Sequence, residues 1–328
     1  MNSEYIAKRV LDAGGSIHPL VIPSDLTNGT GLMNPTVLID NGKILVNIRH
    51  VNYTFYHSEK KMFQHQWGPL TYVHPENDMH LRTNNFYCEL DEQMNIVRYN
   101  MIDMSKFDTY EPLWDFVGLE DARLVRWDGK LYITGVRRDT TTNGQGRMEL
   151  SEIIVEEDSV KEISRFRIPP PKDPNSYCEK NWMPVVQMPY HFVKWSNPTE
   201  VVKVDPDKET CETVYLTEHV SLPRDLRGGS QVIRWDENHW FAITHEVDLF
   251  KSEVGRKDGV YRHRLILWDN DWNIVKYSRD ISFLAGHVEF CVGAAEYNGD
   301  ILATFGFQDN AAYIMRIPKK VLEDILNE

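Results

Sequence analysis

Polar residues able to move protons and hold anions recur along this chain at the places where short apolar runs begin and end. The runs are preceded by Gly31-Leu32-Met33-Asn34-Pro35, Gly118-Leu119-Glu120-Asp121-Ala122-Arg123, Glu179-Lys180-Asn181-Trp182-Met183-Pro184, Arg227-Gly228-Gly229-Ser230-Gln231 and Glu289-Phe290-Cys291-Val292-Gly293. A second polar set follows several of them: Arg49, Arg137 with Arg138, His245 with Glu246, and Gln308 with Asp309. A carboxylate can act as acid or base, and guanidinium, ammonium and imidazolium groups bind oxyanions through short charge-assisted bonds. Singly, each piece also has a bland reading. Glu120 to Arg123 reads as a surface ion pair, Gly228-Gly229 as a turn, Lys180 as an exposed lysine and His245 as a hydrogen-bonded core histidine. Recurrence at one position of a repeat is what argues for a shared site.

The repeat is a hairpin. Apolar or alternating runs flank turns in Thr36 to Asn47 (Asp40-Asn41-Gly42-Lys43), Leu124 to Thr134 (Asp128-Gly129-Lys130), Val185 to Val193 (near Pro189), Val232 to Thr244 (Asp236-Glu237-Asn238) and Ala294 to Thr304 (Asn298-Gly299-Asp300). More polar pairs lie between them: Phe86 to Ile102, Ile153 to Ile168, Val201 to Leu216 and Arg264 to Ile281. Five inner hairpins with outer partners predict an all-β fold, a five-bladed β-propeller of one domain over 1–328 with short N- and C-terminal helices. A β-sandwich would not predict five similar inner hairpins. After Ala311 to Ile317 the chain reads Pro318-Lys319-Lys320-Val321-Leu322-Glu323-Asp324-Ile325-Leu326, a Pro-initiated amphipathic helix. The extended Ile17 to Pro23 is then the candidate strand to close the last blade. In such a ring the two polar sets converge at one face. On strand alternation Asp121 and Arg123 share one side of their strand and Glu120 takes the other.

Composition narrows the partners. The 328 residues carry 41% hydrophobic residues and a formal charge of -13, which disfavours a dedicated nucleic-acid binder while leaving a nucleic acid open as an acceptor. No apolar run is long enough for a membrane span and no secretion signal opens the chain, so a cytoplasmic protein is expected. The four cysteines, Cys88, Cys178, Cys211 and Cys291, show neither a disulfide framework nor metal-ligand spacing. No metal and no cofactor are expected. Asp269 and Asp271 read as an outer hairpin turn in preference to half of a calcium loop. Nine tryptophans and fifteen tyrosines supply flat rings for cores and for sugar faces.

The succession Asn34-Pro35, Gly118 to Arg123, Lys180 to Pro184 and Gly228-Gly229-Ser230, ending in an apolar strand that leads to His245, resembles glycoside hydrolase family 130, the β-mannoside phosphorylases and their relatives. The related glycosyltransferase family 108 comprises mannosyltransferase/phosphorylases. The resemblance runs from about residue 31 to 310 and implies a five-bladed propeller. It implies that Asp121 is the catalytic acid of the family's Glu-Asp-Pro-Arg motif. It further implies that Arg49, one of Arg137 and Arg138, Lys180 and His245 gather around phosphate. Ala122 stands where the family has proline, which loosens a backbone constraint without removing a reacting group. Asn34, Glu120, Arg123, Asn181, Trp182, Ser230, Glu289 and Asp309 are the remaining candidates for substrate contact.

Hydrolysis of a glycoside needs two carboxylates, whereas phosphorolysis needs one, because phosphate arrives as an anion and needs cations. One strong carboxylate among several cations points to an inverting glycosyl transfer between a sugar-1-phosphate or nucleotide sugar and an acceptor hydroxyl, expected to be a saccharide. Two alternatives stay open: a hydrolase with Glu246 or Glu289 as second carboxylate, and a sugar-binding propeller without turnover.

Overall fold

Three hairpins turn on residue pairs whose backbones are both left-handed. These are Asn41 and Gly42 (φ 49° and 78°), Asp128 and Gly129 (49° and 77°), and Asn298 and Gly299 (53° and 83°). Two successive left-handed residues give the hairpin turn whose twist matches that of the flanking strands. They join Leu32–Asp40 to Lys43–Val51, Glu120–Trp127 to Lys130–Arg137, and Glu289–Tyr297 to Asp300–Phe307. The other two hairpins begin on strands of only two residues, Met183–Pro184 and Ile233–Arg234, paired with His191–Ser196 and Trp240–Lys251. Pro184 has no N–H to give a ladder, and it sits on an edge. The structure, a computed structural model, describes residues 4–55, 72–73, 78–251 and 257–328.

The expected five-bladed β-propeller is corrected by the strand pairing. The first two hairpins and their outer partners form one continuous sheet. Its path runs Glu120–Trp127, Lys130–Arg137, Arg147–Val155, Val160–Arg167, Ile96–Asp103, Leu81–Leu90, Lys43–Val51, Leu32–Asp40. The join is a short parallel pairing of outer strands, Val160 with Ile102 and Lys161 with Asp103. Unpaired edges are open to further pairing, and here each outer strand covers the other's edge. The sheet curls until its end strands meet side by side, where Leu124 N–H donates to Thr36 Oγ1 at 3.2 Å and Asn47 Nδ2 to Ala122 O at 3.0 Å. The result is a nearly closed eight-strand barrel in place of two separate blades. Three further sheets of four or more strands stand apart from it, built on His191–Ser196, on Trp240–Lys251 and on Asp300–Phe307, and Thr54–Phe55 pairs with Tyr72–Val73 in a small ladder.

In the last of these sheets Ser16–Leu20 lies antiparallel to Ala311–Pro318, with Ile17 opposite Met315. Helix Lys319–Asn327 follows Pro318 and buries Val321, Leu322, Ile325 and Leu326, one stripe of the helix. The stripe packs in the same core as Ile6 and Val10, which belong to the chain entering and forming helix Ala7–Asp12. Most tryptophans are core: Trp127, Trp182, Trp268 and Trp272 are essentially inaccessible, and Trp240 stacks on Trp272 at 5.3 Å. No helix among the described residues is long and apolar enough to cross a membrane.

One buried side chain bonds to three inner strands at once. Gln231, fully buried, donates through Nε2 to Val37 O at 2.8 Å and Leu124 O at 3.0 Å, and accepts from Ala294 N–H at 3.1 Å. Those partners lie on three inner strands whose Leu32, Glu120 and Glu289 ends are the polar ones noted in the sequence. Gln231→Ala leaves three buried backbone groups without partners, at about 1–3 kcal/mol each. Thermal unfolding is expected to show a loss of at least about 3 kcal/mol. An unchanged midpoint would contradict the role given to this residue.

Candidate active site

The inner strands do not run straight into the site. Pairing shifts register between Met33 and Thr36 and again between Glu120 and Arg123, so that each strand bulges at Asn34 and Asp121. Both residues are left-handed, φ 46° and 49°, and Asn181 at the third unit is too, φ 59°. Asn and Asp tolerate this conformation better than other side-chain-bearing residues, and a bulge re-aims the side chain it carries. The consequence corrects the alternation expected above. Glu120 and Asp121 both line the same cleft, while Arg123 turns into the core.

The cleft has a volume of about 230 Å³. Its wall takes Asn34, Arg49, Glu120, Asp121, Lys180, Asn181, His245 and Asp309 from the expected set, and adds Arg227 with Tyr53, Phe116, Tyr261, Val288 and Phe290. Arg227 directly precedes the Gly228-Gly229 pair, so its position in the repeat was a signal for it; the aromatic residues carried none.

Asp121 is held by Arg49 Nη1 at 2.8 Å and Asn34 Nδ2 at 2.7 Å, and both bonds end on Oδ1. Burial pushes this carboxyl up, but Arg49, the Asn34 amide and Arg123 together outweigh it and leave the group below the ordinary aspartate range. It is therefore ionised at rest. Asp309 faces the opposite balance. Burial raises it to about 6, Arg49 pulls it down only in part, and the charge of Asp121 adds to the rise. Arg49 itself is engaged three ways, through Nη1 to Asp121, Nη2 to Tyr53 Oη at 3.3 Å and Nε to Thr83 Oγ1 at 3.2 Å. Lys180 and Arg227, by contrast, pair with no carboxylate among the described residues.

His245 does not join the cations. Burial, then the positive charge that His263 would carry, hold its imidazole well below its usual range, and Nδ1 lies 2.8 Å from Gly228 O. A carbonyl only accepts, so Nδ1 carries the hydrogen and Nε2 is an acceptor. The ring stacks on Tyr261 at 5.7 Å and meets Phe290 edge-on at 4.7 Å.

Six expected residues lie outside this cleft. Arg137 is fully buried in an ionic cluster, 2.8 Å from Glu149, 3.1 Å from Asp108 and 3.5 Å from Asp139. Arg138 reaches Cys178 Sγ at 2.9 Å and Gly144 O at 3.1 Å, and comes no nearer to the Glu120 carboxylate than 4.0 Å. Trp182 is core, its Nε1 bonded to Glu179 at 3.2 Å. Ser230 Oγ donates to Gln231 O and accepts from Ile243 N–H. Glu289 accepts the N–H groups of Phe283, Leu284 and Gly286 at 2.6–2.8 Å and braces a loop. Arg123 lines no cleft either: Nε and Nη2 bind Gly229 O at 2.9 and 2.6 Å, and Nη1 binds Asp121 O at 2.8 Å. It positions the backbone of Asp121. Glu246, weighed as a second carboxylate, is 3.0 Å from Arg264 Nε and spent there.

Several solved structures share this fold. A β-1,2-mannobiose phosphorylase from Listeria innocua, in complex with β-1,2-mannobiose, matches with a TM-score of 0.56 and 12% identity over 100% of this chain and 99% of that one. A mannose phosphorylase from Leishmania mexicana in complex with phosphate ion matches at 0.52 and 12%, covering 96% and 93%. A putative glycoside hydrolase from Parabacteroides distasonis matches at 0.58 and 12%, covering 89% and 88%. No protein-family model matches the sequence, and no curated protein matches it. The resemblance to glycoside hydrolase family 130 is thus corrected to a distant likeness of fold, without the five separate blades it implied.

The Asp309 carboxyl gives the site a measurable signature. Its folded value of about 6 lies above the roughly 3.9 of an unfolded chain, so the folded protein binds the proton more tightly. Its contribution to stability is unimpaired below about pH 4, falls as pH rises to about 6, and is flat beyond. Asp309→Asn is expected to raise the melting temperature at pH 7 and to give no gain at pH 4. The same change at both pH values would contradict the assignment.

Proposed function

We propose that this protein is a carbohydrate-active enzyme that transfers a glycosyl residue between a phosphate-activated sugar and an acceptor hydroxyl in one inverting displacement, with Asp121 moving the proton. The observation that carries this reading is the one-sided clamp on Asp121. Arg49 and Asn34 both bind Oδ1, and no donor among the described residues binds Oδ2. An ionised carboxylate with one oxygen anchored and the other open is a positioned general base. In synthesis the acceptor oxygen attacks the anomeric carbon, its proton passes to Oδ2, and the phosphate leaves with the electrons of the broken C–O bond. In phosphorolysis the same carboxyl returns the proton to the leaving oxygen.

The rest of the cleft suits the two substrates. Lys180 and Arg227 are cations without carboxylate partners, which favours an oxyanion beside them. Asn34 Oδ1 and Asn181 Oδ1 are buried acceptors without partners among the described residues, and sugar hydroxyls are donors of the right kind. Tyr53, Phe116, Tyr261 and Phe290 offer ring faces. The fold likeness to a mannobiose phosphorylase and to a phosphate-bound mannose phosphorylase makes phosphate and mannosides the first substrates to try.

Asp309 supports a second reading, hydrolysis, since a carboxyl near 6 in the same cleft could supply the acid while Asp121 activates water. The two separate on one variant. Under hydrolysis Asp309→Asn removes an essential acid and abolishes turnover; under transfer to or from phosphate it leaves most of it.

Asp121→Asn keeps the shape and removes the proton acceptor. It is expected to lower kcat by about 10²–10⁴, the usual worth of acid-base catalysis, with donor affinity retained. Turnover near the parent rate would exclude Asp121 as the proton carrier, and a large fall in melting temperature without loss of rate would mark it as a structural ion pair of Arg49.

A further inference from the structure

A second groove opens beside the cleft, with a volume of about 190 Å³, and it shares Lys180, Asn181 and Arg227 with the first. The two spaces therefore adjoin at these three residues. Trp195, 50% exposed and on strand His191–Ser196, lines the groove and not the cleft. The strand bulges there, Val193 facing Val201 and Trp195 facing Glu200, so that Lys194 is the extra residue. A bulge redirects the side chain that follows it, and here an indole is presented to a groove where it could have been packed in a core. The surroundings are braced. Lys194 lies 3.7 Å from both Glu179 and Glu200 and 5.8 Å from the Trp182 ring, and Glu179 is bonded to Trp182 Nε1 and Ser176 Oγ.

We propose that this groove is an acceptor subsite that seats a second sugar ring of the acceptor on Trp195. The inference rests on the glycosyl-transfer reading and deepens it: the acceptor is at least a disaccharide, its reacting hydroxyl at Asp121 and its remote ring on the indole. Two independent observations lead to it. One is the exposed indole in a groove that adjoins the cleft of Asp121 at three shared residues. The other is Asn181, more than nine-tenths buried at the junction, whose Oδ1 has no partner among the described residues and lines both spaces. A saccharide answers both demands, with an apolar C–H face for the indole and a hydroxyl hydrogen for the amide oxygen. A nucleoside phosphate also carries a ring face and ribose hydroxyls, and Lys180 and Arg227 would attract its oxyanions, so it is the competing occupant that the test must exclude.

Fluorine NMR of protein labelled with fluorotryptophan tests this, with Trp195→Phe assigning the resonance of a residue whose replacement leaves the core untouched. The probes are disaccharides of mannose, glucose and N-acetylglucosamine, their monosaccharides, inorganic phosphate, and UMP and GMP. The expected result is a saturable shift of the Trp195 signal with at least one disaccharide, at least 10-fold weaker with its monosaccharide and absent with phosphate. No shift with any disaccharide, or a shift with a nucleoside monophosphate alone, overturns the proposal. A disaccharide shift in a protein whose Asp121→Asn variant turns over normally keeps the groove and removes the chemistry, so the two readings fail separately.

Discussion

The three hydrogen bonds of Gln231 are the constraint on which the rest of the site depends. A buried amide that satisfies two carbonyls and one N–H fixes the spacing of three inner strands at once, because any slip leaves a polar group unpaired in the core. Arg123 adds a second tie nearby, joining Gly229 O to Asp121 O. Burial lowers this guanidinium to about 10, and only the nearby Asp121 and Cys291 work against that. The close approach explains the glycines. A Cβ on Gly229 would stand 2.0 Å from Ile243 O, and one on Gly228 would stand 1.8 Å from Asn181 O. The paired glycines are thus a place where strands meet, and the left-handed Asn34, Asp121 and Asn181 are brought to one cleft because their strands are held so near.

Charge then does the chemical sorting. Arg49 is close enough to Asp121 to keep it ionised and acts less strongly on Asp309, which keeps its proton to about pH 6. Two carboxyls in one cleft are driven apart, Asp309 upward by burial and Asp121 downward by Arg49, Asn34 and Arg123, the pattern that lets one site hold a base and an acid together. His245 stays neutral and accepts, leaving the positive charge to Arg49, Lys180 and Arg227. An anion seated by Lys180 and Arg227 would leave Asp121 its negative charge and its open oxygen.

Much of the fold was legible in the residues. The Asn-Gly and Asp-Gly turns and the Pro-initiated helix with its apolar stripe are local signals, and the structure has them where the chain shows them. The pairing of Ile96–Asp103 with Val160–Arg167 was not legible: few residues of either strand are buried, so neither face specifies a neighbour or a register. That pairing is what turns two expected blades into a curled eight-strand sheet. In the candidate site, recurrence found Asn34, Asp121, Asn181 and Asp309. It could not separate Arg137, consumed by Glu149 and Asp139, from a ligand-facing arginine, because its partners are remote in sequence or unremarkable in it. Glu120 was placed on the wrong face because alternation fails at a bulge, and nothing in Glu-Asp-Ala-Arg announces one. Arg227 was passed over although it occupies the same position of the repeat as Glu120 and Lys180.

The central claim is that the cleft exchanges a sugar between oxygen of phosphate and oxygen of an acceptor. Phosphorus NMR of the protein incubated with inorganic phosphate and β-1,2-mannobiose, alongside disaccharides of glucose and N-acetylglucosamine, measures this directly. The account predicts a growing sugar-1-phosphate resonance with one of them. Free reducing sugar with no sugar phosphate would contradict it in favour of hydrolysis, and no conversion of any disaccharide would contradict the phosphorolytic site as a whole.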